Sequence, residues 1–236
     1  MRIIETKTYE ELSVLAADIL TEQLKRKPDS VLGLATGSSP IGMYEVLVDR
    51  YQKGEVDFSR VTSVNLDEYI GLDGTHPQSY RYFMDTHLFN LVNIDKSRTF
   101  VPNGLTTDGE RDGLLYDEHI ESLGGIDLQL LGVGYDGHIG FNEPSDTFVV
   151  HTHVETLDPS TIEANARFFS SADEVPKQAM TMGLGSIMKA KKILLIASGE
   201  KKAKVLREAF SGKVNPRIPA SVLQLHPDVT VIISEK

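Results

Sequence analysis

Short runs of consecutive apolar residues alternate along this chain with longer stretches in which apolar residues recur every three or four positions. Runs of the first kind fit strands buried on both faces of a sheet, and stretches of the second kind fit amphipathic helices. Arg2 to Glu5 reads as a first strand. Thr8 and Glu11 have capping-box spacing, and a helix follows to about Leu24. Val31 to Ala35 is a buried strand. Thr36-Gly-Ser-Ser-Pro40 turns the chain, Pro40 suits the first helical position, and the helix carries Tyr44 and Leu47. Val61 to Leu66 is the next strand and delivers Asp67 at its end. Thr75 to Gln78 is expected to cap a helix through Phe89. Thr99 to Val101 reads as a short strand, Gly109 to Leu123 as a helix, and Leu128 to Val133 as another buried strand. Thr152 to Leu157 alternates like an edge or hairpin strand. Ser160 with Glu163 is expected to cap a helix carrying Arg167, and Pro176 to open a helical stretch to Ala190. Lys192 to Ala197 is a strand, Ser198 to Phe210 a helix, and Val229 to Ser234 the closing strand.

Strands and helices that alternate in this way imply an α/β fold: an open, mostly parallel, doubly wound sheet of Rossmann-like type with helices on both faces. No internal repeat or low-complexity linker interrupts the pattern, so residues 1–236 read as a single domain. Composition agrees, with 40% hydrophobic and 25% charged residues. The net charge of −10 argues against a nucleic-acid surface, which needs clustered Lys and Arg. An anionic small substrate would need a local basic pocket set against that field. The chain has no cysteine, which excludes disulfides, thiolate catalysis and thiolate metal sites. With no signal-peptide pattern after Met1 and no apolar run of membrane-spanning length, a cytoplasmic protein without membrane contact is expected.

Chemistry concentrates after Leu128 to Val133. That strand empties into a loop with glycines at 132, 134, 137 and 140, among which stand Asp136, His138 and Glu143. Open α/β sheets bind ligands at the carboxyl ends of their strands. A histidine titrates nearest neutrality, and a flanking carboxylate fixes its tautomer and raises its pKa. Asp136-Gly137 is also a strong hairpin signal, so a plain turn is the competing reading. Thr36, Gly37, Ser38 and Ser39 form a strand–turn–helix junction able to hold a phosphate at a helix N-terminus, although an ordinary capped turn reads the same. Lys201 and Lys202 stand in the first turn of a helix, where positive charge opposes the macrodipole unless an anion is near; a solvated lysine is the bland alternative. Asp67 suits a base for a carbon-bound proton if its surroundings tune its pKa. An exposed turn residue, or a metal ligand beside Glu68, are the other readings. His151, His153 and Glu155 share one face of an alternating strand and could chelate a metal, or simply form a polar edge.

Several segments together resemble the glucosamine-6-phosphate deaminases. They are Leu34-Ala-Thr-Gly-Ser-Ser-Pro40, Asn65-Leu-Asp-Glu-Tyr-Ile-Gly-Leu72, His76-Pro-Gln-Ser-Tyr80, Gly132-Val-Gly-Tyr-Asp-Gly-His-Ile-Gly-Phe-Asn-Glu-Pro144, Asn165-Ala-Arg-Phe-Phe169 and Leu223-Gln-Leu-His226. The long segment is the specific one; 6-phosphogluconolactonases of the same fold share something like the short Thr-Gly turn. The resemblance implies conversion of glucosamine 6-phosphate to fructose 6-phosphate and ammonia. It makes Asp67 the base that moves a proton between C2 and C1, and His138 the group that opens the sugar ring. Asp136 and Glu143 become the carboxylates that orient and balance that histidine. Thr36, Gly37, Ser38, Ser39, Arg167 and Lys202 match or adjoin the phosphate pocket, with Lys202 preferred to Lys201 on helix register. No cofactor is expected, since no hydride moves.

The rival readings are a 6-phosphogluconolactonase, a sugar-phosphate sensor without turnover, and a metal hydrolase ligated by Asp67, Asp136, His138 and Glu143. The family also sets an expectation for regulation. In its effector-activated hexamers a serine, an arginine and a lysine stand where this chain has Asp146, His153 and Glu155, and a tyrosine in a C-terminal extension completes the site. This sequence stops at Lys236. Two carboxylates and a mostly neutral histidine would repel a phosphate. Hyperbolic kinetics, no activation by N-acetylglucosamine 6-phosphate, and a monomer or small homo-oligomer are therefore expected.

Overall fold

A computed structural model describes residues 1–169, 171 and 174–234. In chain order the strands are β1 (Arg2–Thr6), β2 (Val31–Leu34), β3 (Thr62–Asn65), β4 (Asp67–Tyr69), β5 (Thr99–Phe100), β6 (Leu128–Leu131), β7 (His153–Thr156), β8 (Gln178–Thr181), β9 (Ile193–Ser198) and β10 (Val229–Ser234). The helices are α1 (Tyr9–Arg26), α2 (Ile41–Gln52), α3 (Tyr80–Met84), α4 (Gly109–Ser122), α5 (Pro159–Asn165), α6 (Leu184–Met188) and α7 (Glu200–Ala209). Seven strands pair in parallel in the order β1-β10-β9-β6-β2-β3-β5. Every residue of β2 and β6 is buried, as the unbroken apolar runs require of strands covered on both faces.

This order locates the site. From β2 the chain winds one way through β3 and β5; from β6 it winds the other way through β9 and β10. The order reverses between β2 and β6, and the loops that follow those strands diverge there to leave a crevice. Asp67 reaches the same edge by another route. The chain leaves β3, passes Leu66, whose N–H bonds Leu34 O at 3.2 Å, and enters a second, antiparallel sheet ordered β4-β8-β7. In that sheet Asp67 lies opposite Thr181, and Thr181 opposite His153.

Several local expectations need correction. The stretch from Pro176 to Ala190 is not one helix but β8 followed by the short α6. Its apolar spacing suits either element, and pairing with β4 and β7 decides it. Gly183 and Gly185 serve close approach: a Cβ on Gly183 would lie 2.2 Å from His151 O, and one on Gly185 2.5 Å from a Val150 methyl. The cap of α3 is Ser79, not Thr75, and that of α5 is Asp158, not Ser160. Pro40 takes the N-cap position of α2. Asp67 is not a loop residue but begins β4. Thr8 does cap α1, accepting from Glu11 N at 3.2 Å, while the Glu11 carboxylate accepts from Lys7 N at 2.8 Å. Among the described residues no helix is long and apolar enough to cross a membrane. Lys236, the last residue of the sequence, lies outside the described residues.

At the opposite end of β6, the buried Asp127 accepts from Val31 N at 2.8 Å and from the ammonium groups of Lys27 and Lys191 at 2.6 and 2.7 Å. Burial disfavours its charge, but these three donors outweigh that and hold its pKa below the usual carboxylate value. Both lysines are substantially exposed, so solvent screening discounts their share of the stabilisation. Asp127→Ala is expected to cost about 1–3 kcal/mol of unfolding free energy at pH 7, read from urea midpoints. Because folding lowers this pKa, the stabilisation is complete above the unfolded value and is lost as pH falls through the folded one. The gap between wild type and variant should therefore close below about pH 4.

Candidate active site

The crevice is a cleft of about 730 Å³ lined by the loops after β2 and β6, by Asp67, and by residues of α5 and α7. Thr36, Gly37, Ser38 and Ser39 form one wall. Gly37 has φ +87°, a conformation only glycine adopts freely, and it turns the chain out of the strand. Tyr9 fixes this turn from behind: its hydroxyl lies 3.1 Å from both Ser38 O and Ser39 O, and accepts from Gly42 N at 2.8 Å. Lys202, on the first turn of α7, reaches across to Ser39 Oγ at 3.1 Å. Burial and the neighbouring Arg167 guanidinium both depress the Lys202 pKa. Two cations in one half-buried corner repel each other, and an anion between them would relieve both. Lys201 is exposed and does not line the cleft; its ammonium lies 5.8 Å from the Tyr135 ring.

On the β6 side the loop folds into a turn, not a strand hairpin. Gly137 N bonds Gly134 O at 3.2 Å, Gly134 N bonds His138 O at 2.9 Å, and Gly137 takes φ +90°. The His138 ring lies over Gly134, where any Cβ would come within 2.5 Å of it. Its Nδ1 sits 2.8 Å from Asp136 Oδ1 and 3.5 Å from Glu143 Oε2. Neither contact is a well-aligned hydrogen bond; they are close ion-pair contacts on one ring nitrogen. Burial opposes a charged ring, but the two carboxylates outweigh it and hold the His138 pKa up at about 9. Asp136 is correspondingly held below the ordinary carboxylate range by the imidazolium, against its own desolvation. With Nδ1 turned to the carboxylates, Nε2 is the nitrogen left for a ligand.

The loop is clamped from three sides. Asn142 Nδ2 donates to Ile139 O and Met182 O at 2.8 and 2.9 Å. Phe141 N donates to Thr181 Oγ1 at 2.9 Å. A 3-10 segment, Pro219–Leu225, sends Ala220 N to Gly137 O at 2.8 Å. The stretch between α7 and β10 carries little periodicity, so its part in holding this loop was not visible in the sequence. His226, just after it, is structural: its Nε2 contacts Ala190 O at 2.8 Å, and its Nδ1 accepts from Asp228 N at 3.1 Å.

Asp67 lies at the floor of the cleft, only 6% exposed, with no cation bonded to it among the described residues. Burial, and then the adjacent Glu68 carboxylate, push its pKa up to about 8; the His138 imidazolium pulls the other way. Gly140 lets the His138 loop pass close by, since a Cβ there would sit 3.7 Å from Asp67 Oδ2. Tyr80 joins the wall beside Asp67, its ring stacked on Phe141 at 6.0 Å, and burial keeps its phenol protonated. Tyr9 and Tyr80 are neighbours that sequence reasoning did not single out, and Glu68, read there only as a possible metal ligand beside Asp67, lies next to it in the buried strand.

The proposed chelating set on β7 does not assemble. His153 pairs with Glu155 at 3.1 Å, and His151 with Asp117 at 3.3 Å. Against burial, Glu155 raises the pKa of His153, so the histidine read as mostly neutral is biased towards its charged form. Among the described residues, the one group with metal-ligand spacing is Asp136, His138 and Glu143, within 4.8 Å of one another; Asp67 is not part of it.

A family model described as glucosamine-6-phosphate isomerases/6-phosphogluconolactonase matches residues 5–232. A glucosamine-6-phosphate deaminase of Clostridium perfringens is 60% identical over 235 residues, covering 100% of this chain and 97% of its own length. One from Thermoanaerobacter pseudethanolicus is 56% identical over 236 residues, covering 100% and 93%. Among solved structures, a monomeric glucosamine-6-phosphate deaminase matches with TM-score 0.96 at 47% identity, over 99% of this chain and 97% of that one. The 6-phosphogluconolactonase of Trypanosoma brucei, at TM-score 0.78 and 18% identity over 99% and 95% of the two chains, shares the fold alone. Taken with the cleft at the switch point, these matches show that the chain belongs to the glucosamine-6-phosphate isomerase/6-phosphogluconolactonase family and, within it, to the glucosamine-6-phosphate deaminases.

Proposed function

We propose that this protein converts glucosamine 6-phosphate and water to fructose 6-phosphate and ammonia, as one domain using the residues assembled in the cleft. The observation that carries the reading is Asp67, a buried carboxylate without a bonded cation, its pKa raised to about 8, beside an imidazolium. Ester hydrolysis of a lactone needs no base at C2. A phosphate has a place between the Thr36–Ser39 turn, Lys202 and Arg167, remote from the reacting carbons, where its binding holds C1 and C2 against Asp67.

The charged resting state of His138 sets the order of ring opening. The imidazolium first gives its Nε2 proton to the ring oxygen as the C1–O5 bond breaks. The neutral imidazole then accepts the O1 hydroxyl proton, leaving an aldehyde and a recharged ring. Asp136 and Glu143 stabilise the imidazolium throughout. Asp67 next removes the C2 proton while the recharged His138 returns a proton to O1, giving an enolamine; Asp67 then delivers its proton to C1, which leaves a C2–N double bond as an iminium. Water adds at C2, the proton it releases recharges His138, and ammonia leaves, so the net reaction is hydrolytic, the enzyme returns to its resting state and all atoms balance. Every step uses a group already present at the cleft, and the reading calls for no cofactor.

The same reading extends to regulation and setting. At the positions where effector-activated relatives carry phosphate ligands, Asp146 is paired with Arg217 at 2.5 Å and His153 with Glu155 at 3.1 Å. We infer hyperbolic kinetics, no response to N-acetylglucosamine 6-phosphate, a monomer or small homo-oligomer, and a cytoplasmic place in the catabolism of N-acetylglucosamine-derived amino sugars. Saturation curves with and without millimolar effector should superimpose; a sigmoid made hyperbolic by effector contradicts this.

Ammonia release from glucosamine 6-phosphate tests the reaction itself. It should persist after exhaustive chelation, and Asp67→Asn should lose at least ~10²-fold in kcat. A chelation-sensitive activity would favour a metal hydrolase, and near-normal turnover in Asp67→Asn would remove the base. In the free enzyme, activity needs Asp67 ionised and His138 protonated. Thus kcat/KM should rise as pH passes about 8 and fall as it passes about 9. Glu143→Gln should move the falling limb to lower pH, because one of the charges that keeps the ring protonated is gone. For the phosphate, Lys202→Ala should raise KM by roughly one to two decades, the scale of a charge-assisted hydrogen bond. Lys201→Ala should change it little, and a larger effect there would reverse the assignment.

A further inference from the structure

The cleft rests on a second buried acid, whose hydrogen bonds go neither to the Thr36–Ser39 turn nor to the histidine. Glu68 follows Asp67 on β4 and is 3% exposed. Its Oε1 accepts from Tyr69 N and Tyr80 N, each at 2.9 Å, and its Oε2 accepts from Arg81 N at 2.9 Å. Two of those donors are the first backbone N–H groups of α3, which Ser79 also caps through Tyr82 N. The nearby Arg81 guanidinium goes elsewhere, to Thr99 and to Asp85. Glu68 is therefore a carboxylate satisfied by peptide dipoles instead of by a full positive charge. Gly104 closes its slot, for a Cβ there would stand 3.0 Å from Glu68 Cγ and 2.6 Å from Tyr69 O.

We propose that Glu68 is a positioning residue for the reaction: its carboxylate ties the strand bearing Asp67 to the helix bearing Tyr80, and its uncompensated charge keeps Asp67 a strong base. The proposal rests on Asp67 being the base. Geometry carries the first half, and the second follows from Glu68 being the next residue to Asp67 on the same buried strand. Oε1 bridges Tyr69 N on β4 and Tyr80 N on α3, so the Tyr80 ring, packed on Tyr69 at 4.9 Å and on Phe141 at 6.0 Å, is referenced to the same strand as Asp67. A salt-bridged glutamate would be screened by its partner, whereas one held by N–H groups leaves most of its field at its neighbour. The other titratable groups that act with Asp67 are His138 from the β6 loop, Tyr80 from α3, Tyr69 on β4 and Tyr116 from α4. The three phenols stay neutral, and His138 acts in the opposite sense. Glu68 is thus the one like charge among these groups.

Its removal should weaken the base, and a mere structural strut would not do that. The test is Glu68→Gln, compared with wild type and with Glu68→Asp, which keeps the charge. Two readouts are followed: the rising limb of kcat/KM against pH, and titration of the Asp67 carboxyl carbon by NMR, assigned by its loss in Asp67→Asn. Glu68→Gln should move both downward by at least ~0.5 pH unit, as loss of a like charge requires. It should lower the kcat plateau, and KM should stay within about twofold because the phosphate corner is untouched. Glu68→Asp should keep the limb high. If Glu68→Gln does not fold, the wild-type Asp67 signal is read instead, and it should show a second inflection as Glu68 titrates beside it. A limb and a carboxyl pKa that do not move in Glu68→Gln, or a wild-type signal with a single inflection, overturn the proposal. A downward NMR shift in an enzyme that releases no ammonia would uphold Glu68 and defeat the deaminase reading instead.

Discussion

The site depends on one electrostatic arrangement: a buried carboxylate that bonds no cation among the described residues, close to a buried imidazolium that two other carboxylates keep charged. Isolating an ionised acid from water is costly, and proteins usually meet that cost with a paired cation or by protonation. Here the imidazolium is already committed to Asp136 and Glu143 through Nδ1. Asp67 is left with burial and the Glu68 charge against it and only the pull of His138, which it does not bond, in its favour. Its proton affinity lies near neutrality as a result, which is where a group that must both take and return a carbon-bound proton works best.

The fold holds this arrangement by bringing unrelated segments to one edge. Strand order reverses between β2 and β6, so their loops part there and leave the cleft. The sheet change after Leu66 carries Asp67 beneath it. The histidine loop, too rich in glycine to hold its own shape, is fixed by Asn142, Thr181 and Ala220. The cations that complete the cleft arrive on α7 and the Ala166–Phe168 turn. Each clamp is a backbone or neutral side-chain hydrogen bond, so the charges at the centre are not spent on holding the loop.

Much of this was legible in the sequence, for identifiable reasons. The parallel core is readable because strands covered on both faces must be apolar throughout, as Val31 to Leu34 and Leu128 to Leu131 are. The glycine-rich loop after the second of these is readable because few purposes call for so many glycines around a histidine. What could not be read arises from partners distant in sequence. The stretch 176–190 has spacing that suits a helix, yet β4 and β7 claim Gln178–Thr181 from it as a strand. Asp67 begins a strand of the second sheet for the same reason. Glu68 reads locally only as a possible metal ligand and Tyr9 not at all: the bonds of the first run to N–H groups twelve and thirteen residues away, those of the second to carbonyls about thirty away. His153 shows the reverse error, since its charge is set by Glu155 beside it and not by its intrinsic pKa.

The central claim is that one carboxylate, on one face of the sugar, moves the proton between C2 and C1. It is tested most directly with glucosamine 6-phosphate deuterated at C2, with the fructose 6-phosphate analysed by NMR. A single acid–base group that exchanges slowly with water should divide the deuterium between solvent and just one of the two stereochemically distinct positions at C1. Deuterium in both C1 positions would mean that the proton travels by another path, and would contradict the account.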